Sequence, residues 1–248
     1  MKKTKKIVLI GIGTLILVCL IIGGSFFYKF NSETKKMHPV ATGEIVDNIY
    51  AIKDEFVNMY VIKDSNQYVV IDAGKDIDVV ATELKKLNIN PDMVIAVLLT
   101  HTDMDHVAGI PLFKNAKIYF SKQEEMMLTG EKQKIPGVSN SISRKDYILL
   151  EDKQILKIGN ENSFSILTEG HTTGSMCYQV NDKYLFTGDI LSLVDGKLGP
   201  SVKFFDLNHE MATKSISKIT KLPNVEYIFT AHFGYTNNYK SAVKDWQE

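Results

Sequence analysis

The sequence Val94-Ile95-Ala96-Val97-Leu98-Leu99 runs directly into Thr100-His101-Thr102-Asp103-Met104-Asp105-His106. The first half is an apolar run typical of a buried strand, and the second half carries two imidazoles and two carboxylates. Crowded at the end of a strand, these groups repel one another or lose hydration unless a cation holds them together. Imidazole nitrogen and carboxylate oxygen are ligands for zinc, iron or manganese rather than for calcium. The stretch therefore predicts a metal site at the edge of a sheet.

The same pattern, an apolar strand followed by a ligand-type side chain, occurs three more times. The side chains are His171 after Gly170, Asp189 after Phe186-Thr187-Gly188, and His232 after Thr230-Ala231. Strand ends converge at one edge in layered α/β domains, so we expect these side chains to meet those of residues 101–106. Asp72 ends another apolar run; it either bonds a metal ligand from outside or closes a turn with Gly74.

Charge and cysteine content exclude several classes of protein. The 248 residues include 29 basic and 29 acidic side chains, so no nucleic-acid partner is expected. Arg144 is the sole arginine; it either anchors a substrate anion or is solvated. Cys19 lies in an apolar segment and Cys177 in a predicted strand, so the fold is not a disulfide scaffold.

The N-terminal segment is predicted to be a membrane anchor. Residues 7–27 form an uncharged apolar run, and about 20 such residues span a bilayer as a helix. Four lysines precede the run, which favours a cytoplasmic N-terminus. The predicted organisation is single-pass in the cell membrane: a cytoplasmic tail at 1–6, the anchor at 7–27, a linker at 28–41 and a domain at 42–248 outside the cytoplasm. The alternative is a signal peptide cleaved near Gly23-Gly24-Ser25, although the run is longer than an ordinary signal core.

Hydrophobic patterning predicts a sheet covered by helices. Predicted strands cover residues 44–52, 59–62, 68–71, 94–99, 164–167, 176–180, 184–187 and 225–230. Asp76 is placed to cap a helix that ends before Asn90-Pro91, and a second helix is predicted at 208–222, stopped by Pro223. The segment 121–145 carries no clear pattern.

Several motifs make this chain resemble the metallo-β-lactamase-fold hydrolases over residues 43–235. They are Ile71-Asp72-Ala73-Gly74, the block 101–106 followed by Gly109, Gly170-His171-Thr172-Thr173-Gly174-Ser175, Phe186-Thr187-Gly188-Asp189, and His232-Phe233-Gly234. The resemblance implies an α/β fold, a four-layer αββα sandwich, preceded here by one transmembrane helix. It specifies the fold more than the substrate, because one fold hosts many reactions.

The resemblance also implies two divalent metal ions, most often zinc. By that analogy His101, Asp103 and His171 hold the first ion, Asp105, His106 and His232 hold the second, and Asp189 bridges them. Two cations about 3.5–4 Å apart lower the pKa of a shared water and polarise the bond under attack. In this scheme Asp105 and Asp189 are the catalytic carboxylates, which position the hydroxide and the ions.

Asp103 departs from the family pattern, which usually has His at this position. A harder, negatively charged ligand shifts the preference from zinc toward iron or manganese, and it resembles the flavodiiron branch, where Glu occupies this place. The alternative is that Asp103 leans away from the metal and leaves the first site weak. Cys177 does not match the Cys that some zinc β-lactamases have at the Asp189 position, and we interpret it as a buried core residue.

The predicted function is a membrane-anchored hydrolase in which a hydroxide activated by two metal ions attacks a small ester, lactone, thioester or amide. The alternatives are a phosphodiesterase, a di-iron redox enzyme and a non-catalytic metal-binding surface domain. The thioesterase of glyoxal detoxification has a helical C-terminal extension, and since this chain ends at Glu248 that identity is not expected. Tyr235 either donates to a developing oxyanion or packs as a ring. The sequence indicates no oligomeric state.

Overall fold

A computed structural model of the chain describes the backbone of residues 2–246 and the side chains of residues 11–246. The chain divides into two compact units, Met1–Met37 and His38–Glu248. We refer to them as the N-terminal unit and the globular unit.

The N-terminal unit contains one long helix, α1 (Lys2–Thr34). Its stretch Gly11–Thr34 has a mean hydropathy of 2.1, its apolar window is fully exposed, and it is long and apolar enough to cross a membrane. The helix continues beyond residue 27, where the predicted span ends, into the predicted linker. Lys29 and Glu33 lie one turn apart with 2.6 Å between Nζ and Oε1, and this ion pair supports the last polar turns of the helix.

The globular unit begins with a seven-stranded sheet in which the strands follow one another in chain order. The strands are β1 (Gly43–Val46), β2 (Ile49–Asp54), β3 (Val57–Asp64), β4 (Gln67–Ile71), β5 (Val94–Leu98), β6 (Lys117–Ser121) and β7 (Tyr147–Leu150). β1 to β4 form the predicted antiparallel meander, and β4 to β7 pair in parallel. Helix α2 (Ile77–Lys86) connects β4 to β5, and α3 (Glu125–Thr129) lies between β6 and β7.

A second sheet has six strands in the order β15-β14-β11-β10-β9-β8. Its members are β8 (Ile155–Ile158), β9 (Glu161–Leu167), β10 (Met176–Val180), β11 (Tyr184–Phe186), β14 (Tyr227–Phe229) and β15 (Tyr235–Thr236). β11 and β14 pair in parallel, and the other neighbours are antiparallel. Between β11 and β14 the chain forms the hairpin of β12 (Leu191–Val194) and β13 (Lys197–Pro200) and then helix α4 (His209–Ile216); helix α5 (Tyr239–Ala242) follows β15.

Alternate residues of β5 face two different apolar layers, because side chains along a strand point to opposite faces. Ala96 and Leu98 pack in the layer between the two sheets, which also contains Tyr178 of β10. Val97 and Leu99 pack in the layer on the other face of the first sheet, which includes Leu84 of α2. β5 is therefore apolar on both faces, as its continuous hydrophobic run predicts.

A third apolar layer covers the outer face of the second sheet. It joins Ala212 and Ile216 of α4 to Cys177 of β10 and Ile228 of β14. With helices outside both sheets, the layers form the predicted αββα sandwich. Cys177 is fully buried, as predicted, and burial raises the pKa of its thiol to about 12, so the side chain acts as a small apolar residue.

Two tyrosines connect the sheets close to the sequence motifs. The Tyr178 hydroxyl donates to the Leu99 carbonyl at 2.8 Å, and the Tyr60 hydroxyl donates to the Thr230 carbonyl at 2.6 Å. Tyr178 belongs to the second sheet and Leu99 follows the first, whereas the Tyr60 bond runs in the opposite direction. Because Leu99 and Thr230 lie two residues before His101 and His232, these bonds fix the position of both motifs.

The helix predicted at 208–222 is shorter in the structure. Asn208 caps α4 by accepting a hydrogen bond from the Met211 N–H, but the helix ends at Ile216. The Ser217 hydroxyl donates to the Lys214 carbonyl at 2.8 Å, and the Thr220 hydroxyl donates to the Ser217 carbonyl at 3.3 Å. These local bonds compete with the helical backbone pattern. By contrast, Asp76 caps α2 as predicted, accepting from the N–H groups of residues 78 and 79.

The strand predicted at 44–52 is two strands, β1 and β2, joined by a tight turn. Asn48 lies in that turn with φ +63°, a left-handed conformation that asparagine adopts more readily than most residues. The strands β6, β7, β8, β12, β13 and β15 were not predicted.

We expect Leu98→Ala to destabilise the globular unit by about 2–5 kcal/mol, because Leu98 is fully buried between the sheets and truncation leaves a cavity. The control is Ile155→Ala: this side chain is 73% exposed, and we expect a change within about 0.5 kcal/mol. Urea unfolding of the full chain, followed by the fluorescence of its one tryptophan, Trp246 in the globular unit, measures both. Equal effects of the two substitutions would contradict the assignment of Leu98 to the inter-sheet core.

Candidate metal centre

The predicted site residues all follow strand ends at one edge of the sandwich. His101, Asp103, Asp105 and His106 follow β5 in the first sheet, and His171, Asp189 and His232 follow β9, β11 and β14 in the second. Two glycines allow the close approach of these turns. At Gly170, with φ +135°, an added Cβ would lie 2.0 Å from the Ala212 nitrogen, and at Gly188, with φ +54°, it would lie 2.5 Å from Thr100 Oγ1.

The Asp189 carboxylate lies at the centre of four histidines. Its oxygens are 2.9 Å from His232 Nε2, 3.3 Å from His106 Nε2, 3.4 Å from His171 Nε2 and 3.8 Å from His101 Nε2. All four imidazole side chains are almost completely buried. One carboxylate therefore contacts or approaches every histidine that the sequence assigned to the site.

Seven side chains fall into overlapping groups whose potential ligand atoms lie within 4.8 Å of one another. One group is His101, Asp103 and His171, a second is Asp105, His106 and His232, and a third joins His101, His106 and Asp189. The structure thus brings together all seven residues that were predicted from the sequence as metal ligands. The first two groups have the membership expected for two ions, and the third places Asp189 between them; the ligand roles themselves stay predictions.

Each histidine is held in place through its Nδ1 atom. The partners are Thr100 Oγ1 for His101 at 3.0 Å, Asp72 Oδ2 for His106 at 3.0 Å, Asp206 Oδ1 for His171 at 3.0 Å, and the Phe56 carbonyl for His232 at 2.7 Å. Carboxylates and carbonyls only accept, so Nδ1 donates in His106, His171 and His232. The Thr100 hydroxyl donates to Asp72, so it accepts from His101 Nδ1. Each Nε2 atom is thereby aimed at the centre, where its lone pair becomes available once the ring has lost its second proton, and this is how metal-binding histidines are oriented.

Three buried atoms of this cluster have no hydrogen-bond partner within the part of the chain that the structure describes. They are His101 Nε2, His106 Nε2 and Asp189 Oδ1; the last two lie 3.3 Å apart but form no hydrogen bond with each other. Buried polar atoms without partners are rare and call for an explanation such as an ion. Imidazole nitrogens and carboxylate oxygens at this spacing fit a divalent metal ion, which would satisfy all three atoms.

The pKa shifts of the buried histidines also indicate a site for a cation. Burial lowers the pKa of His106, but Asp189 and Asp72 outweigh it and hold the pKa well above its usual value. Burial and the Lys134 charge also lower the pKa of His171, yet Asp103 and Asp189 raise it to about 9. These protons neutralise buried carboxylates, a task that a bound metal ion would take over while releasing them.

The carboxylates respond in the opposite sense. Burial raises the pKa of Asp103 and of Asp189, but the positive charge around them outweighs burial. Lys134 and His101 hold the pKa of Asp103 well below its usual range, and His232 and His106 do the same for Asp189. Both side chains are therefore charged and available to a cation.

Asp72 hydrogen-bonds His106, a candidate metal ligand, and does not itself face the centre of the cluster. This is the first of the two roles that the sequence left open for it. It accepts from the Thr100 N–H at 2.7 Å and from the Thr100 hydroxyl at 2.8 Å, in addition to His106. Its backbone has φ +61°, a conformation that costs energy for a residue with a Cβ. The side-chain bonds hold Asp72 in this conformation and aim it at His106.

Glu124 is a site residue that the sequence did not reveal. Its buried carboxylate accepts from the Thr102 N–H at 2.8 Å, the Thr102 hydroxyl at 2.8 Å, the Thr172 hydroxyl at 2.6 Å and the Gly174 N–H at 3.1 Å. Thr102 lies between His101 and Asp103, and Thr172 follows His171. Glu124 therefore fastens the turn after β5 to the turn after β9. It falls in the segment 121–145, where no sequence pattern marked it.

Three further residues were missed. Asp206 accepts from His171 and also contacts His209 Nδ1 at 2.6 Å, so it orients a candidate ligand from the segment just before α4. Lys134 Nζ lies 2.5 Å from Asp103 Oδ2 and 2.9 Å from His171 Nε2. Asn140 donates to Asp103 Oδ1 at 2.9 Å. Nothing in the local sequence of these three residues indicates that they belong to the site. Their contacts in the folded chain show it.

Arg144 has a structural role. It donates to the carbonyls of Phe113 and Ala116 at 3.1 and 2.9 Å and pairs with Asp146. Its guanidinium is thus engaged by protein groups and is not simply solvated. Tyr235 stacks on Phe229 with 5.7 Å between ring centroids, which agrees with the packed-ring alternative.

Comparison with known proteins identifies the family. The profile described as the metallo-beta-lactamase superfamily matches residues 52–232, a span that contains all seven candidate ligands. The chain therefore belongs to the metallo-beta-lactamase superfamily.

Individual relatives agree with this assignment. The chain is 32% identical over 161 residues to the probable polyketide biosynthesis zinc-dependent hydrolase PksB of Bacillus subtilis, covering 63% of this chain and 61% of the relative. It is 29% identical over 175 residues to a hydroxyacylglutathione hydrolase of Buchnera aphidicola, covering 68% and 58%. The chain thus spans about three fifths of the length of these curated relatives.

A solved structure of a B3 metallo-beta-lactamase, described as having an active-site glutamic acid, superposes with a TM-score of 0.64. The two chains are 18% identical, and the superposition covers 84% of this chain and 86% of the other. At this identity the likeness concerns the fold, and it agrees with the αββα sandwich.

We expect Glu124→Gln to weaken zinc binding by about 10- to 100-fold, the range found for residues that orient metal ligands. Both carboxylate oxygens of Glu124 accept hydrogen bonds, whereas a glutamine amide would place N–H groups against some of these donors and lose those bonds. Competition with a chromophoric zinc chelator measures the affinity, and Glu131→Gln, an exposed change of the same kind nearby in sequence, is the control. Unchanged zinc affinity in the folded Glu124→Gln protein would show that Glu124 does not position the ligands.

Proposed function

We propose that this protein is a metal-dependent hydrolase of small acyl compounds: an ester, a lactone, a thioester or an amide. One observation carries the proposal. The Asp189 carboxylate lies among four buried Nε2 atoms, and three polar atoms of this cluster have no hydrogen-bond partner within the described residues. The hydrolase names of the curated relatives support the reaction class, and hydroxyacylglutathione, named in one of them, is an acyl compound.

Two ions are proposed, one held by His101, Asp103 and His171 and one by Asp105, His106 and His232, with Asp189 shared. Zinc is favoured, because one relative is named as zinc-dependent; Asp103 keeps iron or manganese open, since a carboxylate is a harder ligand than imidazole. When bound, such ions lower the pKa of water and polarise a carbonyl group.

The protein's own residues orient the reactants. The imidazoles are inaccessible, whereas Asp103 and Asp105 keep 19% and 17% of their side chains exposed. A substrate therefore approaches from the side of these two carboxylates. Met104 lies between them and is 76% exposed, so it offers an apolar rim to the non-reacting part of a small acyl substrate. Asp105 and Asp189 would orient the attacking water at the floor of this opening.

A redox role is the second candidate, because three carboxylates around one centre also suit a di-iron site. The two roles differ in metal content and in the reaction. Iron without hydrolysis across ester, lactone, thioester, amide and phosphodiester substrates would favour the redox role. Stoichiometric metal with neither reaction would identify a metal-binding domain, and cleavage of the phosphodiester alone would favour a phosphodiesterase.

We expect Asp189→Ala to reduce hydrolysis by more than about a hundredfold, since losing even residues that only orient ligands costs about 10- to 100-fold. The domain should still fold, because Asp189 lies in the site and not in an apolar layer. Activity on the substrate panel and metal content by mass spectrometry are measured together. Asp47→Ala, an exposed aspartate in the β1–β2 turn, is the control, and an active Asp189→Ala protein would remove Asp189 from the mechanism.

We propose further that residues 7–27 anchor the protein in the cell membrane as a single span, with the globular unit outside the cytoplasm. The apolar stretch in α1 and the lysines before it support this topology. A cleaved signal sequence is the competing explanation.

The full chain should remain in the membrane pellet after alkaline carbonate extraction and should keep its N-terminus by mass spectrometry. Leu17→Lys combined with Ile21→Lys should reduce the pelleted fraction, because a charge at the centre of a span is costly, by about 2.5–3.5 kcal/mol per residue on insertion scales. A shortened chain in the soluble fraction would instead identify a signal peptide.

A further inference from the structure

The side chain of Lys134 reaches into one of the two candidate metal positions. Its ammonium lies 2.5 Å from Asp103 Oδ2 and 2.9 Å from His171 Nε2, two of the three ligand atoms proposed for the first ion. The other position differs. Among the residues whose side chains the structure describes, Asp105 and Asp189 pair only with histidines and with no lysine or arginine.

The loop that carries Lys134 is organised to hold it there. A backbone bond from the Val138 N–H to the Ile135 carbonyl at 3.0 Å closes a tight turn. The Gln133 side chain fastens this turn, accepting from the Gly137 N–H at 2.8 Å and donating to Ser139 Oγ at 3.1 Å. Further along the loop, Asn140 binds the second oxygen of Asp103. Both oxygens of Asp103 are thus engaged by the same loop.

An ammonium and a divalent ion cannot share Asp103 Oδ2 and His171 Nε2. His171 Nε2 has a single lone pair and can serve the ammonium or the ion but not both, and like charges this close repel strongly in a buried site. Charge also balances with one ion. When the four imidazoles are neutral, as ligands must be, the three carboxylates of the cluster, Asp103, Asp105 and Asp189, are balanced by one divalent ion together with one ammonium.

We propose that Lys134 is a resident cation of the first metal position, so that the two ions bind unequally. The position of Asp105, His106 and His232 fills first. The position of His101, Asp103 and His171 fills only when the Lys134 ammonium withdraws. This inference rests on the proposed metal-dependent function. If the Lys134 ammonium occupies the first position in about nine molecules of ten, only about one in ten can bind an ion there. The apparent affinity of this position for its ion is then roughly tenfold weaker than without the ammonium.

The test is a Co²⁺ titration of the metal-stripped full chain in detergent, followed by visible absorption and by bound metal per chain. The wild-type protein should bind two ions in two resolved steps. Lys134→Met should tighten the second step by roughly tenfold or more and leave the first unchanged. Lys134→Gln, which removes the charge and keeps a hydrogen-bond donor for Asp103, should do the same and serves if Lys134→Met fails to fold. Trp246 fluorescence checks folding beforehand.

Lys132→Met is the matched control, because Lys132 is exposed on the same loop and its loss changes the net charge equally. A second step that stays the same in the folded Lys134 variants, or that tightens equally in Lys132→Met, would overturn the inference. So would two equally tight steps in the wild-type protein. Absence of any tight Co²⁺ step in the wild-type protein would instead refute the proposed metal-dependent function.

Discussion

The Asp189 carboxylate meets the Nε2 atoms of four buried histidines at 2.9–3.8 Å, and the arrangement around it follows from the cost of burying charge. Carboxylates out of water need positive charge close by. In the protein alone, imidazole protons and the Lys134 ammonium supply it. Asp103 and Asp189 raise the pKa of His171 to about 9 against burial and the Lys134 charge, and His232 and His106 hold the pKa of Asp189 well below its usual range. The site is built for cations, and its geometry decides where each one sits.

Hydrogen bonds outside the cluster keep these groups in position. Glu124 fastens the turns that carry His101 and His171, and Asp72 and Asp206 fix two of the imidazoles. These carboxylates have little solvent contact, so their bonds are strong and specific in direction. The candidate ligands are thus supported by acidic residues that do not themselves face the centre.

Those elements of the fold could be predicted whose own sequence shows a pattern, such as an apolar run or a capping residue. The apolar run before residue 100 predicted β5, the aspartate at 76 predicted the start of α2, and four strand ends with ligand-type residues predicted the seven-residue cluster. The helix at 208–222 was predicted too long, because Ser217 and Thr220 bond to backbone carbonyls in a way that hydrophobic spacing does not reveal. Short strands such as β8, with exposed alternate residues, have no apolar run to mark them.

The missed site residues share a different cause. Glu124, Lys134 and Asp206 are ordinary charged residues in sequence, and each acquires its role from partners 22 to 50 positions away. Such pairings depend on the finished tertiary structure. The candidate ligands can be recognised from a single sequence because they follow strand ends in a repeated pattern. The residues that position these ligands follow no such pattern.

The candidate ligands come from both sheets, four residues following β5 and three following strands of the second sheet. During synthesis on the ribosome, no growing chain can assemble the complete cluster until residue 232 has emerged and both sheets have docked. In the proposed scheme, an ion held by Asp105, His106 and His232 would therefore be captured late in folding and would link the two halves of the sandwich. A cell short of that ion would then have fewer loaded molecules and less stable ones, since an ion that binds only the folded state stabilises it.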